Sequence, residues 1–167
     1  MSSPTGTGAP RRRQTMVARV MRREVDGDPQ VRAPTPGDAP AIAELMLAAY
    51  RGTIDDEGET PEETLDVVRR LFAGEFGVVL WNISEVTVRA GRLAAATICT
   101  VWQGRPFVAF MVTAPEFKRQ GLARAGLTRA INRLAAAGDP LLRLVVTAGN
   151  TQAETLYASL GFVAEEG

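Results

Sequence analysis

Four stretches of the chain repeat apolar residues at helical spacing, and five others alternate or cluster them as strands do. Val31 and Arg32 read as a short first strand, followed by helix caps at Thr35 or Asp38. Ile42, Leu45, Met46 and Ala49 then share one face, which predicts an amphipathic helix over 39–50. Thr60-Pro61-Glu62-Glu63 opens a second helix with a capping hydroxyl, a proline at the first position and acids at the positive end of the dipole. Leu65, Val68, Leu71 and Phe72 form its apolar face, and Gly74 ends it. From Glu85 the period falls to two, with Val86 and Val88 alternating against Thr87 and Arg89. Turns at Ala90-Gly91 and Gln103-Gly104-Arg105-Pro106 join this strand to 93–102 and 107–113, an antiparallel meander. Gly121 opens a third helix to about Ala137, with Leu127, Ile131 and Leu134 facing inward. Residues 141–147 are nearly all apolar, as expected of a strand covered on both faces. A fourth helix over 150–160 places Ala153, Leu156, Tyr157 and Leu160 on one side before Gly161. The fold class expected is α/β, a central mixed sheet flanked by helices.

Composition narrows the chemistry. The chain has 167 residues, a length that suits one domain, with 46% apolar residues, one cysteine and no histidine. Imidazole therefore cannot serve as a metal ligand, a general base or a member of a nucleophilic triad. Cys99 alone can form neither an internal disulfide nor a cysteine zinc cluster, so no metal is expected. No apolar run reaches the roughly 18 to 20 residues of a membrane span, and no apolar segment follows Arg11-Arg12-Arg13 as it would in a secretory signal. These features point to a cytoplasmic protein without a membrane partner. Residues 1–29, rich in Arg, Ser, Gly and Pro, read as a disordered tail, leaving 30–167 as the folded domain. Equal totals of 19 basic and 19 acidic residues conceal an acidic middle: 33–66 holds nine acids against one arginine. A uniformly basic nucleic-acid surface is excluded on that distribution.

The densest signal is a strand, a turn and a glycine-opened helix: Met111-Val112-Thr113-Ala114-Pro115-Glu116-Phe117-Lys118-Arg119-Gln120-Gly121-Leu122-Ala123-Arg124. A helix start offers unpaired N–H groups and positive potential, and small residues at 121 and 123 let an anion approach them. Lys118, Arg119, Gln120 and Arg124 surround the same turn, which suits a pyrophosphate. It is neither a P-loop nor a three-glycine dinucleotide fingerprint. Basic residues beside a helix start are also common on ordinary surfaces, so the turn alone leaves both readings open.

Downstream stands Asn150-Thr151-Gln152-Ala153-Glu154-Thr155-Leu156-Tyr157, with Gly161-Phe162 behind it. Lys118-x-x-Gly121-x-Ala123 resembles the Q/R-x-x-G-x-G/A motif of the GNAT superfamily of acyl-CoA-dependent N-acetyltransferases. Asn150-x-x-Ala153-x-x-Leu156-Tyr157-x-x-x-Gly161-Phe162 resembles that superfamily's closing helix, and the spacing between the two motifs also matches. The resemblance covers about 31–163. It implies that acetyl-CoA is the co-substrate and a primary amine the acceptor. By the same resemblance, the strand at Met111, Val112 and Thr113 diverges from its neighbour at a bulge and receives the pantetheine arm. The amides of Arg119, Gln120, Gly121, Leu122, Ala123 and Arg124 hold the phosphates with Lys118 beside them, and Asn150 bonds the arm. Tyr157 then protonates the departing thiolate, while a backbone N–H near Val112 receives the oxyanion.

Three positions depart from that pattern. Lys118 stands where Gln or Arg is usual, keeping charge but losing the fork of a guanidinium. No carboxylate lies between Phe107 and Thr113 to deprotonate the acceptor; Glu85, Glu57 or a water chain could substitute. Only Val163-Ala164-Glu165-Glu166-Gly167 follow Phe162, so the last strand of the fold is expected to be missing or supplied by a partner. An open edge beside 141–147 would invite pairing, and a homodimer is one way to cover it. Asp55, Asp56, Glu57 and Glu59 form an acidic loop that would attract a cationic amine: a basic peptide side chain, a polyamine or an aminosugar. Ordinary solvation explains such a loop equally well. Tyr50, Trp81 and Trp102 are candidate pocket liners or core aromatics, and Cys99 reads as a buried small hydrophobe. Two alternatives to a transferase stay open, a GNAT-like domain that senses acyl-CoA and a subunit whose role is assembly.

Overall fold

The computed structural model describes residues 12–166. Its elements run β1 (Arg13–Arg19), β2 (Val31–Arg32), α1 (Ala39–Tyr50), α2 (Pro61–Phe72), β3 (Glu85–Arg89), β4 (Arg92–Trp102), β5 (Arg105–Thr113), α3 (Leu122–Ala137), β6 (Leu141–Thr147), α4 (Thr151–Ser159) and β7 (Val163–Ala164). Together the strands form one seven-stranded mixed sheet in the order β2-β3-β4-β5-β6-β1-β7. Only β5 and β6 run parallel. The helices lie where the periodicity puts them because their stop and start signals are local. Thr60 accepts the Glu63 N–H at 3.1 Å at the head of α2, and Gly138 closes α3 in the left-handed region at φ 82°.

Helices cover the sheet in two layers. Ile42, Leu45, Val68 and Leu71 of α1 and α2 pack on Val86, Ala96, Ile98 and Val112. On the opposite face, Leu127, Ile131 and Leu134 of α3 pack with Leu142, Leu144, Val146, Leu160 and Phe162. Gly126 lets α3 descend onto the strands. A Cβ there would lie 2.7 Å from Thr97 Oγ1 and 3.1 Å from Glu85 Oε1, closer than packed atoms sit.

The reading of 1–29 as a disordered tail is corrected by β1. Arg13–Arg19 pairs with β6 along its whole length, from Arg13↔Thr147 to Arg19↔Leu141. The ladder buries Met16 and Ala18 against the α3 layer. The connection to β2 is also anchored: the Asn132 side chain accepts from the Arg23 N–H at 2.8 Å and donates to its C=O at 2.7 Å. Asp28 pairs with Arg89 at 2.6 Å. The part of the tail before Arg12 lies outside the described residues.

The expected gap at the far end is corrected by the same strand. A short C-terminal strand, β7, is present, and it pairs with β1 through Met16↔Ala164 and Val17↔Val163. The chain's own amino-terminal strand thus lies between β6 and β7, where a missing strand or a partner was expected. The β6 edge is covered within the chain, which removes the open-edge reason for expecting a homodimer. A third expectation fails at β6 itself. Leu142, Leu144 and Val146 are buried, but Val145 on the other face is 40% exposed. The α1 and α2 layer packs on β3, β4 and β5, and no β6 residue joins its core.

Candidate active site

The sheet opens between β5 and β6. These strands share a single register pair, Phe107↔Arg143, and β4–β5 pairing slips at Ile98/Cys99. Beyond Phe107 the two strands diverge, so the Met111, Val112 and Thr113 end of β5 borders a wedge lined by unmatched backbone groups. Such groups need partners, and an extended amide-bearing arm can supply them as an added strand does. Val112 is buried, whereas Met111 and Thr113 are partly exposed.

The chain leaves β5 through a tight turn over 115–117 and enters α3 at Gly121. Arg119 and Gly121 both adopt positive φ, 66° and 75°. Left-handed residues in such a turn fold backbone N–H groups into a concave nest. No side chain caps the α3 start, so its first N–H groups face outward at the positive end of a four-turn helix. Lys118, Arg119, Gln120 and Gly121 are exposed around the nest, while Leu122 is buried against Ala94, Ala95 and Phe117 and offers only its backbone. Ala123 is half-buried. Arg124 donates to Ser159 Oγ, tying the head of α3 to the tail of α4. The arrangement fits a diphosphate with its arm directed into the wedge.

At the other side of the wedge, Asn150 caps α4 by accepting the Ala153 N–H at 3.2 Å. Its Nδ2 donates to Asp55 Oδ2 at 3.4 Å, and Thr147 Oγ1, at the end of β6, donates to Asp55 Oδ1 at 2.7 Å. The acidic loop therefore folds over the junction of β6 and α4, with Ile54 Cδ1 against Gly149. Tyr157 stands about two turns further along α4, half-buried, edge-on to Phe162 at 5.9 Å. It shares its cluster with Met111 from the wedge. Burial, followed by the Asp55 charge, pushes the Tyr157 phenol up to about 12. Tyr50, at the end of α1, is shifted in the same direction by burial, then by Asp55 and Tyr157. Tyr50, Asp55, Thr147, Asn150 and Tyr157 thus form one polar constellation drawn from four parts of the chain.

The matched residues span most of the fold. The acetyltransferase (GNAT) family model covers residues 40–162, from α1 through the close of α4. The chain belongs to the GNAT family. A curated GNAT relative is the [ribosomal protein bS18]-alanine N-acetyltransferase of Escherichia coli K12, 39% identical over 72 residues, which are 43% of this chain and 49% of that protein. The chain thus spans about half the length of the curated relatives it matches. The crystal structure of the E. coli ribosomal-protein-S18-alanine N-acetyltransferase superposes with a TM-score of 0.64 and 26% identity over 81% of this chain and 78% of that one. A phosphinothricin acetyltransferase from Sinorhizobium meliloti, solved with AcCoA, shares the fold at a TM-score of 0.64, 16% identity, 81% of this chain and 75% of that one.

Other candidates fall outside this constellation. Glu85 is buried beneath α3, where Arg129 chelates both of its oxygens at 2.7 to 3.2 Å and Arg133 approaches at 2.9 Å. Glu57 pairs with Arg13 on the surface at 3.5 Å. Trp81 packs at a tilt against Phe72 in the α2 layer, with ring centroids 5.0 Å apart, and Trp102 lies at the β4–β5 hairpin. Cys99 is fully buried, its thiol pushed up to about 12 by that burial, which fits a small core residue. A groove of about 540 Å³ between α1 and the β3–β4 turn touches neither the acidic loop nor α4. Thr147 was not legible as a site residue; its one signal is a hydroxyl closing an otherwise apolar strand.

Proposed function

We propose that this chain transfers an acetyl group from acetyl-CoA directly to a primary amine, with Tyr157 as the general acid. The observation that carries the reading is the convergence of the α3 nest, the β5–β6 wedge and the Tyr157 cluster along one path. Phosphates sit on the amides of Arg119, Gln120, Gly121, Leu122, Ala123 and Arg124 with Lys118 alongside. The pantetheine arm fills the wedge beside Met111, Val112 and Thr113, with Asn150 at its reacting end. Membership of the GNAT family supports acetyl-CoA as the donor.

The amine attacks the thioester carbonyl, a backbone N–H near Val112 takes the oxyanion, and collapse breaks the C–S bond. Tyr157 holds its proton throughout the neutral range because its burial disfavours the phenolate. Donation to a thiolate whose conjugate acid lies near 8.5 is uphill by roughly 4 to 5 kcal/mol if taken alone. The nitrogen of the intermediate sheds a proton as the amide forms, and that proton returns to Tyr157 in the same step.

The acceptor class proposed first is a peptide α-amine, on the strength of the E. coli relative that acts on the alanine of ribosomal protein bS18. An acidic loop over the β6–α4 junction suits that cation, and equally a polyamine or an aminosugar. The test is mass spectrometry of an alanine-terminated peptide, spermine and an aminosugar after incubation with acetyl-CoA. Acetylation of at least one, with matching release of free CoA thiol, is expected. Tight acetyl-CoA binding without transfer to any of them would identify a sensor instead.

A further inference from the structure

A direct transfer needs a neutral amine, yet the chain has no histidine and β5 carries no carboxylate. The described carboxylates near the wedge can be sorted by what already holds them. Glu85 is neutralised by two guanidiniums. Glu57 faces Arg13 at the surface. Asp56 is turned back on its own loop, accepting the Gly52 and Gly58 N–H groups at 2.8 and 2.9 Å. Glu59 accepts the Glu57 N–H at 3.3 Å, and Glu154 accepts that of Gly149 at 3.3 Å. Asp55 differs from all of these. Its carboxylate leaves the loop, crosses 92 residues of sequence and is received by Thr147 at the wedge.

Both hydrogen bonds to Asp55 come from neutral donors, Thr147 and Asn150, and no described Lys or Arg forms an ion pair with it. Asp55 is thus oriented by a hydroxyl and an amide alone, whereas Glu85 is closed between two guanidiniums. Tyr50 from α1 and Tyr157 from α4 both feel the Asp55 charge, and Glu59 and Arg13 act on Tyr50 beside it, the Arg13 guanidinium being engaged by Glu57. With Arg13 offset by Glu57, Asp55 and Glu59 leave an excess of two negative charges. An acceptor ammonium placed between Asp55 and the thioester offsets one of them.

Building on the transferase reading, we propose that Asp55 is the residue that binds the acceptor ammonium and removes its proton. One proton of the ammonium passes to an Asp55 oxygen and then to solvent. The neutral nitrogen forms the C–N bond as the C–S bond breaks. Its second proton, through Tyr157, ends on the CoA thiol, so acetyl-CoA and ammonium give amide, free thiol and one released proton. Thr147 is a positioning residue that holds the carboxylate towards the wedge.

The test compares wild type with Asp55→Asn, using whichever of the alanine-terminated peptide, spermine and the aminosugar is turned over fastest. Acetyl-CoA affinity by calorimetry is expected to stay within about twofold. At pH 7, kcat/KM is expected to fall by about 10²- to 10⁴-fold. The deficit should shrink by about tenfold per pH unit as the amine becomes neutral by itself, and Asp55→Glu should recover part of the loss. Thr147→Val, which removes a hydrogen bond to the charged carboxylate, should move the acidic limb of the profile to higher pH. A kcat/KM within twofold of wild type in Asp55→Asn, or an equal loss at every pH, overturns the assignment. A wild-type protein that binds acetyl-CoA but acetylates none of the amines overturns the transferase reading itself.

Discussion

Two carboxylates in this molecule are both received by partners distant in sequence, yet their surroundings assign them opposite tasks. Glu85, 2% exposed on β3, is gripped by Arg129 and Arg133 of α3. The guanidinium of Arg129 is held more firmly protonated by that hydrogen bond, and the assembly fastens helix to sheet. Asp55, half-buried in a loop, is held by a hydroxyl and an amide and stays uncompensated. The lesson is that the charge of the partners, more than burial or hydrogen-bond number, separates a structural carboxylate from a reactive one. A structural pair closes its charge within the fold, while a reactive group leaves a charge for the substrate to close.

The sharpest way to break this comparison is to neutralise each carboxylate in turn. Glu85→Gln leaves two largely enclosed guanidiniums without their anion, which costs about 3–5 kcal/mol and lowers Tm by roughly 10 °C for a domain of this size. Asp55→Asn is expected to change Tm little, since its amide oxygen still accepts from Asn150 and its amide nitrogen donates to the Thr147 hydroxyl in place of the other bond. A melt in which Asp55→Asn falls further than Glu85→Gln would reverse the assignment of roles.

A smaller effect is expected on the cofactor side. Replacing Lys118 and Arg119 by alanine removes two exposed charges from the nest while leaving its backbone donors. Acetyl-CoA affinity should weaken by about tenfold, or about 1.4 kcal/mol, with Tm unchanged. Desulfo-CoA, which keeps the phosphates, should weaken in parallel, and calorimetry separates this loss from any change at Asp55.

The smallest effect is an alkaline one. Tyr157 titrates near 12 in the fold against 10.0 when unperturbed. Its contribution to stability is therefore complete below pH 10 and is lost as the pH rises through 12. Tyr50 is displaced in the same direction. Chemical denaturation of wild type should weaken across that window, and the weakening should be shallower in Tyr157→Phe. Equal slopes for the two proteins would place Tyr157 outside the buried cluster.

The helices, the meander and the α3 turn were legible because each rests on local signals: a 3.6-residue or two-residue period, a cap, a glycine. Strand β1 was not. Its seven residues bury only Met16 and Ala18 and are flanked by arginines, and they become a strand through pairing with residues more than 120 positions away. Such a contact leaves no trace in a local period. The same holds within the site. Tyr157, Asn150 and the nest could be named from two motifs, whereas the Asp55–Thr147 bond joins two segments that no motif connects. The apolar run of β6 misled in the opposite sense, since Val145 keeps its apolar side chain on a face that no helix covers.

Thiol release from acetyl-CoA in the presence of an acetylatable amine, measured on wild type and Tyr157→Phe side by side, tests the central claim most directly. Both proteins should bind acetyl-CoA alike, and the variant should release thiol about 10²- to 10⁴-fold more slowly. Equal rates in the two proteins would contradict the account, because the cluster on α4 would then play no part in breaking the thioester.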